Sequence, residues 1–329
     1  MTVEPKGILV AIPTLNEGRH IAATLTALMA ARPAMEAVDI VVADGGSSDD
    51  TRAVVERMGE RHPNIRLMDN PDRLQSAAIN RVVQTCAEDR HRILVRVDAH
   101  AHYPPGYVLD VAQSLHDRDA DALATVMDSG GETCFQRGAA WATDTKLGSG
   151  GSGHRGGATS AWVDHGHHAG FRLEMFRAVG GYDTAFVANE DAELDHRIGL
   201  AGGRIWLDAA IRLGYVMRPS LRGLARQYWR YGLGRGQTVL KHRMTPRLRQ
   251  MVPPIAVLGN CGGLLLSPVA PVLLVIPVVY GAALAAVTGH LLYEKRSICA
   301  LWALPALAAM HHAWGAGFLW QMIRRGKAR

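Results

Sequence analysis

The chain has 329 residues, room for one large domain and an appendage. Its 48% hydrophobic and 20% charged residues make an ordinary globular average, with a formal charge of +6. That average hides a split that speaks against a uniformly soluble chain: residues 1–250 are charge-rich, 252–293 hold almost no charge and 297–323 hold none.

Ile8 to Ile12 is an apolar run ended by Pro13 and reads as a buried strand. It is too short for a secretory signal, so the large domain is expected to stay in the cytosol. Residues 16–31 read as a helix stopping before Pro33. Val38 to Ala43 is a second β-branched run, closed by Asp44-Gly45-Gly46. Ser47, Ser48 and Asp49 then suit the start of a helix through Arg61. Ile65 to Met68 is a third strand, Gln75 to Ala87 a helix, and Ile93 to Val97 a fourth strand ending at Asp98. This alternation predicts a mostly parallel α/β sheet with helices on both faces. Ligands of such sheets bind outside the carboxyl ends of the strands, where Asp44 and Asp98 both stand.

Farther on, a helix is expected from about Asp191 to Ala201, then two short strands over 204–207 and 211–215, then a basic aromatic helix from Leu221 to His242. Pro253 to Leu292 accommodates two short spans broken at Ser267-Pro268, and Leu301 to Ile323 a third. Arg218, Arg222, Arg226, Arg230, Arg235, Lys241, Arg243, Arg247 and Arg249 precede the first span. Cations there fit the positive-inside rule and attract anionic head groups. The expected partner of the basic run is therefore membrane lipid, not nucleic acid. The expected organisation is a catalytic domain over 1–218, a basic interfacial helix over 219–250 and a transmembrane region of two to three spans over 251–329. That makes a multi-pass protein of the cell membrane with a cytoplasmic catalytic domain. Cys86, Cys134, Cys261 and Cys299 are scattered, with no metal or disulfide spacing, which suits a reducing compartment.

Four constellations carry chemistry. Asn189-Glu190-Asp191-Ala192-Glu193-Leu194-Asp195 places four carboxylates within seven residues. Such crowding is costly unless something positive or protonatable faces it, although an acidic first helical turn is itself favourable. A sugar hydroxyl giving up its proton near a metal-bound diphosphate would be such a partner. Asp44 and the glycines after it can receive a base edge, or form a plain capped turn. Asp98 and His100, at i and i+2 on an extended segment, point the same way and could share a divalent cation. Asp164-His165-Gly166-His167-His168 lacks zinc-motif spacing and reads as a pocket wall against sugar or diphosphate. Gln227, Arg230 and Tyr231 share a helix face, where an arginine can neutralise a departing diphosphate and a ring can stack on a sugar. The same residues also suit an interfacial belt.

Together, Ile12-Pro13-Thr14-Leu15-Asn16-Glu17, Asp44 through Thr51, Asn80, Asp98-Ala99-His100, Gly180-Gly181-Tyr182-Asp183 and Glu190-Asp191 resemble family-2 glycosyltransferases with the nucleotide-sugar-binding GT-A fold. The resemblance covers about residues 7 to 245. Arg96-Val97-Asp98-Ala99-His100-Ala101 and Asp164 to Ala169 are similar to the branch found in succinoglycan biosynthesis.

The resemblance implies a Rossmann-like GT-A domain followed by a helical membrane domain. It implies an inverting hexosyltransferase acting on a UDP-sugar, with a lipid-linked saccharide on polyprenyl diphosphate as acceptor. Asp191, with Glu190 beside it, would be the catalytic base. Pro13, Glu17, Asp44, Asn80 and Asp98 would bind the nucleotide sugar. His167, His168, Gln227, Arg230 and Tyr231 would face the acceptor or diphosphate. Asp98 and His100 would hold Mn or Mg. Two positions depart from the family pattern: His100 stands where a second aspartate is usual, and Tyr231 where a tryptophan is usual. A polyprenyl-phosphate sugar synthase and a catalytically degenerate assembly subunit are the alternatives.

Overall fold

The computed structural model describes residues 3–31, 33–157, 159–186 and 188–326. Among them β1 (Ile8–Thr14), α1 (Ile21–Met29), β2 (Asp39–Asp44), α2 (Thr51–Arg61), β3 (Ile65–Asp69), α3 (Gln75–Cys86) and β4 (Ile93–Arg96) alternate as expected. Next come α4 (Tyr107–Asp117), β5 (Ala122–Gly130), α5 (Cys134–Asp144), α6 (Lys146–Ser149), β6 (Ala161–Val163), β7 (His167–Arg172), α7 (Leu173–Ala178), α8 (Glu190–Leu200) and β8 (Ile205–Val216). The last four helices are α9 (Leu221–His242), α10 (Leu248–Leu266), α11 (Val275–Lys295) and α12 (Ala303–Gly326).

The chain divides into two compact units. The first gathers residues up to 128, then 156–186 and 190–215; the second gathers 129–155, a short segment ending at Asn189, and 216 onward. The contiguous boundaries expected at 218 and 250 do not describe this grouping, because residues 129–155 fold with the C-terminal helices.

The first unit holds an eight-stranded sheet in the order β3-β2-β1-β4-β7-β5-β8-β6. The four strands from β3 to β4 are parallel to one another. β7 then runs antiparallel to both β4 and β5, and β6 antiparallel to β8. The sheet is therefore mixed rather than mostly parallel. β8 is also one strand, not the two short ones expected, since its backbone stays extended through Asp208-Ala209-Ala210.

β1 shows why the sheet forms. Ile8, Val10 and Ile12 point to one face and Leu9 and Ala11 to the other, and all five are fully buried. Side chains alternate across a strand, so a central parallel strand covered on both faces reads as one apolar run. α1, α2 and α4 contribute to the core on one face, α3 and α8 to the core on the other.

In the second unit α12 lies against α9 at very close range. A β-carbon at Gly232 would stand 2.0 Å from the Trp314 carbonyl oxygen. Ala306, Leu307, Met310 and Phe318 of α12 are buried. One stretch among the described residues, Pro271–Lys295, is long and apolar enough to cross a bilayer, with a mean hydropathy of 2.2. The expected two or three spans thus reduce to one by this measure, and α12 is accounted for by packing within its own unit.

Cys134 and Cys299 form a disulfide across 165 residues, with their Cα atoms 4.9 Å apart. This corrects the expectation of unpaired cysteines: a bridge between α5 and the segment before α12 leaves no local spacing to read. Cys86 and Cys261 are free thiols.

Candidate active site

The carboxyl ends of the parallel strands lie along one edge of the first unit. Asp44 closes β2 opposite Thr14 of β1, and Asp98 follows β4 by two residues. β2 and β4 flank β1, so the two acids are roughly 10 Å apart across the ladder. The antiparallel register, Ile93 opposite Arg172 and Val95 opposite Gly170, brings the start of β7 to the same edge. His167 and His168 therefore arrive beside Asp98.

Arg96 ties this edge to the start of α8. Its guanidinium donates to Asp191 Oδ1 (2.5 Å), Tyr182 Oη (3.1 Å) and Asp98 Oδ1 (3.3 Å), and stands 4.0 Å from Glu190. Arg96 is only 5% exposed. The Tyr182 hydroxyl donates in turn to Asp191 Oδ1 at 3.0 Å. His168 Nδ1 lies 3.3 Å from the same oxygen, and its Nε2 lies 2.5 Å from Asp195 Oδ1. Asp191 and Asp195 are four residues apart on one helix face, which lets them grip the two nitrogens of one ring. Glu193, fully buried, pairs with Arg197 at 2.6 Å. The cations that answer the four crowded acids are thus largely the chain's own.

Charge follows from this geometry. Burial alone would raise the Asp191 carboxyl, but Arg96 and then His168 outweigh it and hold Asp191 well below the usual carboxylate range. Glu190 goes the other way: burial, then the Asp191 charge, push it up. Asp98 is lowered, because Arg96 and His167 overcome the cost of burial. Neighbouring carboxyls with opposed shifts are the pattern expected of a proton-transfer site. Asp191 is the ionised member of the pair.

The other expected residues fall as follows. Asp98 Oδ1 accepts from Gln75 Nε2 at 2.8 Å, while its Oδ2 lies 3.8 Å from His167. His100 does not align with Asp98: residues 98–101 close a turn (Ala101 N–H to the Asp98 carbonyl, 3.3 Å), and His100 Nδ1 meets Glu17 Oε1 at 3.0 Å. The extended geometry expected of Asp98 and His100 is therefore absent. Pro13 is a half-buried residue of β1.

Asp44 is buried under its own loop. It accepts from Ser47 N–H (2.9 Å), Ser47 Oγ (2.5 Å), Gly46 N–H (3.1 Å), Arg52 (3.2 Å) and Thr14 (3.3 Å). A base that binds Asp44 must replace one of these donors. Asn80 faces inward too. Its amide donates to the Tyr182 carbonyl (2.7 Å) and accepts from the Tyr182 N–H (2.8 Å). Gly181 makes that clamp possible: its φ is +67°, and a β-carbon there would stand 2.5 Å from Asn80 Oδ1. Asn80 therefore fixes the Tyr182 turn. His168 has no exposed side-chain surface, and its ring lies between Asp191 and Asp195.

Gln227, Arg230 and Tyr231 belong to α9 of the second unit. Gln227 Nε2 donates to Tyr231 Oη at 2.8 Å, the i, i+4 contact expected of that face, and Arg230 is exposed.

Sequence reasoning assigned no individual role to Arg96, Tyr182 or Asp195, and read His165 only as part of a pocket wall. Arg96 carried a signal nonetheless: a lone charge inside Ile93-Leu94-Val95-Arg96-Val97 must be paired if that run is a buried strand. Asp195 carried one in its four-residue offset from Asp191.

The profile of the family described as Glycosyl transferase family 2 matches residues 9–180. The chain is 41% identical over 318 residues to the succinoglycan biosynthesis protein ExoA of Rhizobium meliloti, covering 96% of this chain and 94% of that one. It is 23% identical over 244 residues to a dolichyl N-acetyl-α-D-glucosaminyl phosphate 3-β-D-2,3-diacetamido-2,3-dideoxy-β-D-glucuronosyltransferase of Methanococcus voltae, covering 71% of this chain and 74% of that one. The mannosyltransferase PcManGT of Pyrobaculum calidifontis, solved with GDP-Man and Mn2+, shares the fold: TM-score 0.56 at 20% identity, over 94% of this chain and 89% of that one. The α/β unit is thus GT-A-like, and the chain is a glycosyltransferase that belongs to glycosyltransferase family 2.

Proposed function

We propose that this glycosyltransferase is held at a bilayer and moves a hexose from a UDP-sugar to a lipid-linked saccharide with inversion, in exopolysaccharide synthesis. The observation that carries the reading is the Asp191 carboxylate. All three donors that it meets among the described residues go to Oδ1, leaving Oδ2 to receive a proton. As the acceptor oxygen bonds to the anomeric carbon, its proton passes to Oδ2 and the bond to the diphosphate breaks. Arg96 stays positive and keeps the base ionised before each turnover. The nucleoside would lie along the Asp44 loop and Glu17, with the diphosphate toward Asp98. The proposed contacts for diphosphate or acceptor are His167 in the first unit and, by the family resemblance, Gln227, Arg230 and Tyr231 on α9.

No group of three or more His, Cys, Asp or Glu is gathered to hold a metal among the described residues. Magnesium on a diphosphate needs only one or two protein carboxylates, the phosphates and water supplying the rest. Asp98 Oδ2, whose nearest cation is His167 at 3.8 Å, fits that part. A bound Mn or Mg would there neutralise charge on the departing diphosphate. PcManGT was solved with GDP-Man and Mn2+, which supports a divalent cation here.

Membrane attachment is supported by α10 and α11. Gly259 and Gly263 lie close to Ile276 and Leu273, so the two helices pack together. The end of α10 and the connection to α11 carry exposed Leu264, Leu265, Leu266, Val269 and Val272, and no charge. Arg247 and Arg249 lie at the start of the pair and Lys295 and Arg296 at its end. Both charged ends therefore suit one cytoplasmic face. The lipid-linked acceptor is supported by the Methanococcus relative, whose name contains a dolichyl-linked sugar.

Membranes carrying the protein, incubated with radiolabelled UDP-glucose, UDP-galactose or UDP-N-acetylglucosamine and extracted with chloroform–methanol, test this reading. Label from one donor should enter the lipid fraction only when the protein is present. Label that stays in the aqueous phase with every UDP-sugar contradicts it.

A further inference from the structure

Asp191 is the first of four linked groups. His168 Nδ1 meets Asp191 Oδ1 at 3.3 Å, His168 Nε2 meets Asp195 Oδ1 at 2.5 Å, and His165 Nδ1 meets Asp195 Oδ2 at 2.7 Å. The side chains of His168 and Asp195 are 0% and 1% exposed, while His165 reaches the surface at 24%. Resting on the transfer reading above, we propose that His168 and Asp195 are positioning residues for the base. The imidazolium pins Asp191 Oδ1, so that Oδ2 is the oxygen that takes the acceptor's proton.

Two observations separate this from a plain buried ion pair. Both ring nitrogens face carboxylate oxygens. A neutral ring would set its lone pair against one of them, so only the doubly protonated ring satisfies both contacts. The second observation is that the pinned oxygen is the one already held by Arg96 and Tyr182. Three donors converging on one oxygen orient the carboxylate, whereas a charge merely seeking a partner could use either oxygen.

His168 is surrounded by known groups. From α8 it meets Asp191 and Asp195, and from the turn after α7 the Tyr182 hydroxyl at 3.3 Å. Phe171 of its own strand packs against the ring at 4.6 Å. Arg96, Glu190 and His167 act on Asp191. Burial alone would drive the ring neutral; Asp195 and then Asp191 reverse this and raise His168 to about 9. The imidazolium is therefore present at neutral pH and is lost as pH rises through that value. In the transfer step its own protons stay in place: one proton moves from acceptor hydroxyl to Asp191 Oδ2, and the electron pair of the broken bond leaves with UDP.

The test is the pH profile of kcat, read as UDP released from whichever UDP-sugar labels lipid. Wild-type kcat should fall on an alkaline limb near pH 9. Asp195→Asn keeps the shape and an acceptor oxygen but removes the charge that holds the ring protonated. Its alkaline limb should move to neutral pH or below. Activity at pH 7.5 should then drop at least ~10-fold and return toward wild type near pH 6, with KM for the donor changed less than ~3-fold. His168→Gln should lack the limb altogether. The proposal is overturned if wild-type kcat stays flat to pH 10, if Asp195→Asn keeps the wild-type limb, or if His168→Gln retains it. Failure of the base reading itself looks different, since Asp191→Asn would then remain active whatever the profiles show.

Discussion

Asparagine at position 191 is expected to reduce sugar transfer by about 10²- to 10⁴-fold, the usual share of a positioned general base. Nucleotide-sugar binding should survive. The carboxamide oxygen can stay with Arg96, Tyr182 and His168, because all three donate to Oδ1 alone. What changes is the other atom: an NH2 group has no lone pair to receive the acceptor's proton. Isothermal titration with UDP and measurement of label transfer separate the two effects. Turnover within a few-fold of wild type would refute the assignment of Asp191 as base.

The second large effect is expected at Arg96. This guanidinium, itself buried, joins the partly buried Asp98 and Asp191 and the buried Tyr182, and stands near Glu190. Methionine would fill the volume and leave the carboxylates without their shared cation. Breaking a buried pair from one side costs about 3–5 kcal/mol. The pH dependence gives a sharper signature than the loss itself. In the wild type the folded Asp191 and Asp98 carboxyls lie below their unfolded values. They contribute stability above the unfolded value of 3.8, and that contribution is lost as pH falls through the folded values. Without Arg96 the same groups should be raised above the unfolded value, so the variant regains stability as pH falls and they take up protons. Thermal unfolding of detergent-solubilised protein at pH 8 and pH 5 should show the gap from wild type narrowing at pH 5. An equal gap at both would mean that Arg96 holds the site by packing alone.

The parallel half of the sheet was legible because each strand is a short β-branched run bounded by turn residues, and β1 to β4 fall within a few residues of their expected ends. α9 was legible to the residue, since its polar and apolar faces repeat at the helical period. The antiparallel half was not. β7 begins with His167-His168: His168 sits inside because Asp191 and Asp195 meet it there, and His167 is half-buried beside Asp98. No pattern in the strand itself announces that. The disulfide and the Asn80 clamp share the same difficulty: each joins positions more than 100 residues apart, 165 for the disulfide and 102 for the clamp.

The acidic run was read correctly as needing positive partners, but those partners were sought in the ligand. The structure supplies Arg96, His168 and Arg197 from the chain. This alters what the site must obtain from substrate. The proposed base is charged and oriented before anything binds, which is preorganisation in the sense that lowers a barrier. Asp44 and Asp98 stand along the same strand edge, where an incoming nucleotide diphosphate would complete the site.

The most direct measurement of the central claim is the anomeric configuration of the transferred sugar, read by proton NMR on the lipid-linked product of an α-linked UDP-sugar. One carboxylate base activating a hydroxyl for direct displacement predicts a β-linked product. An α-linked product would require a different attacking group and would contradict the role assigned to Asp191.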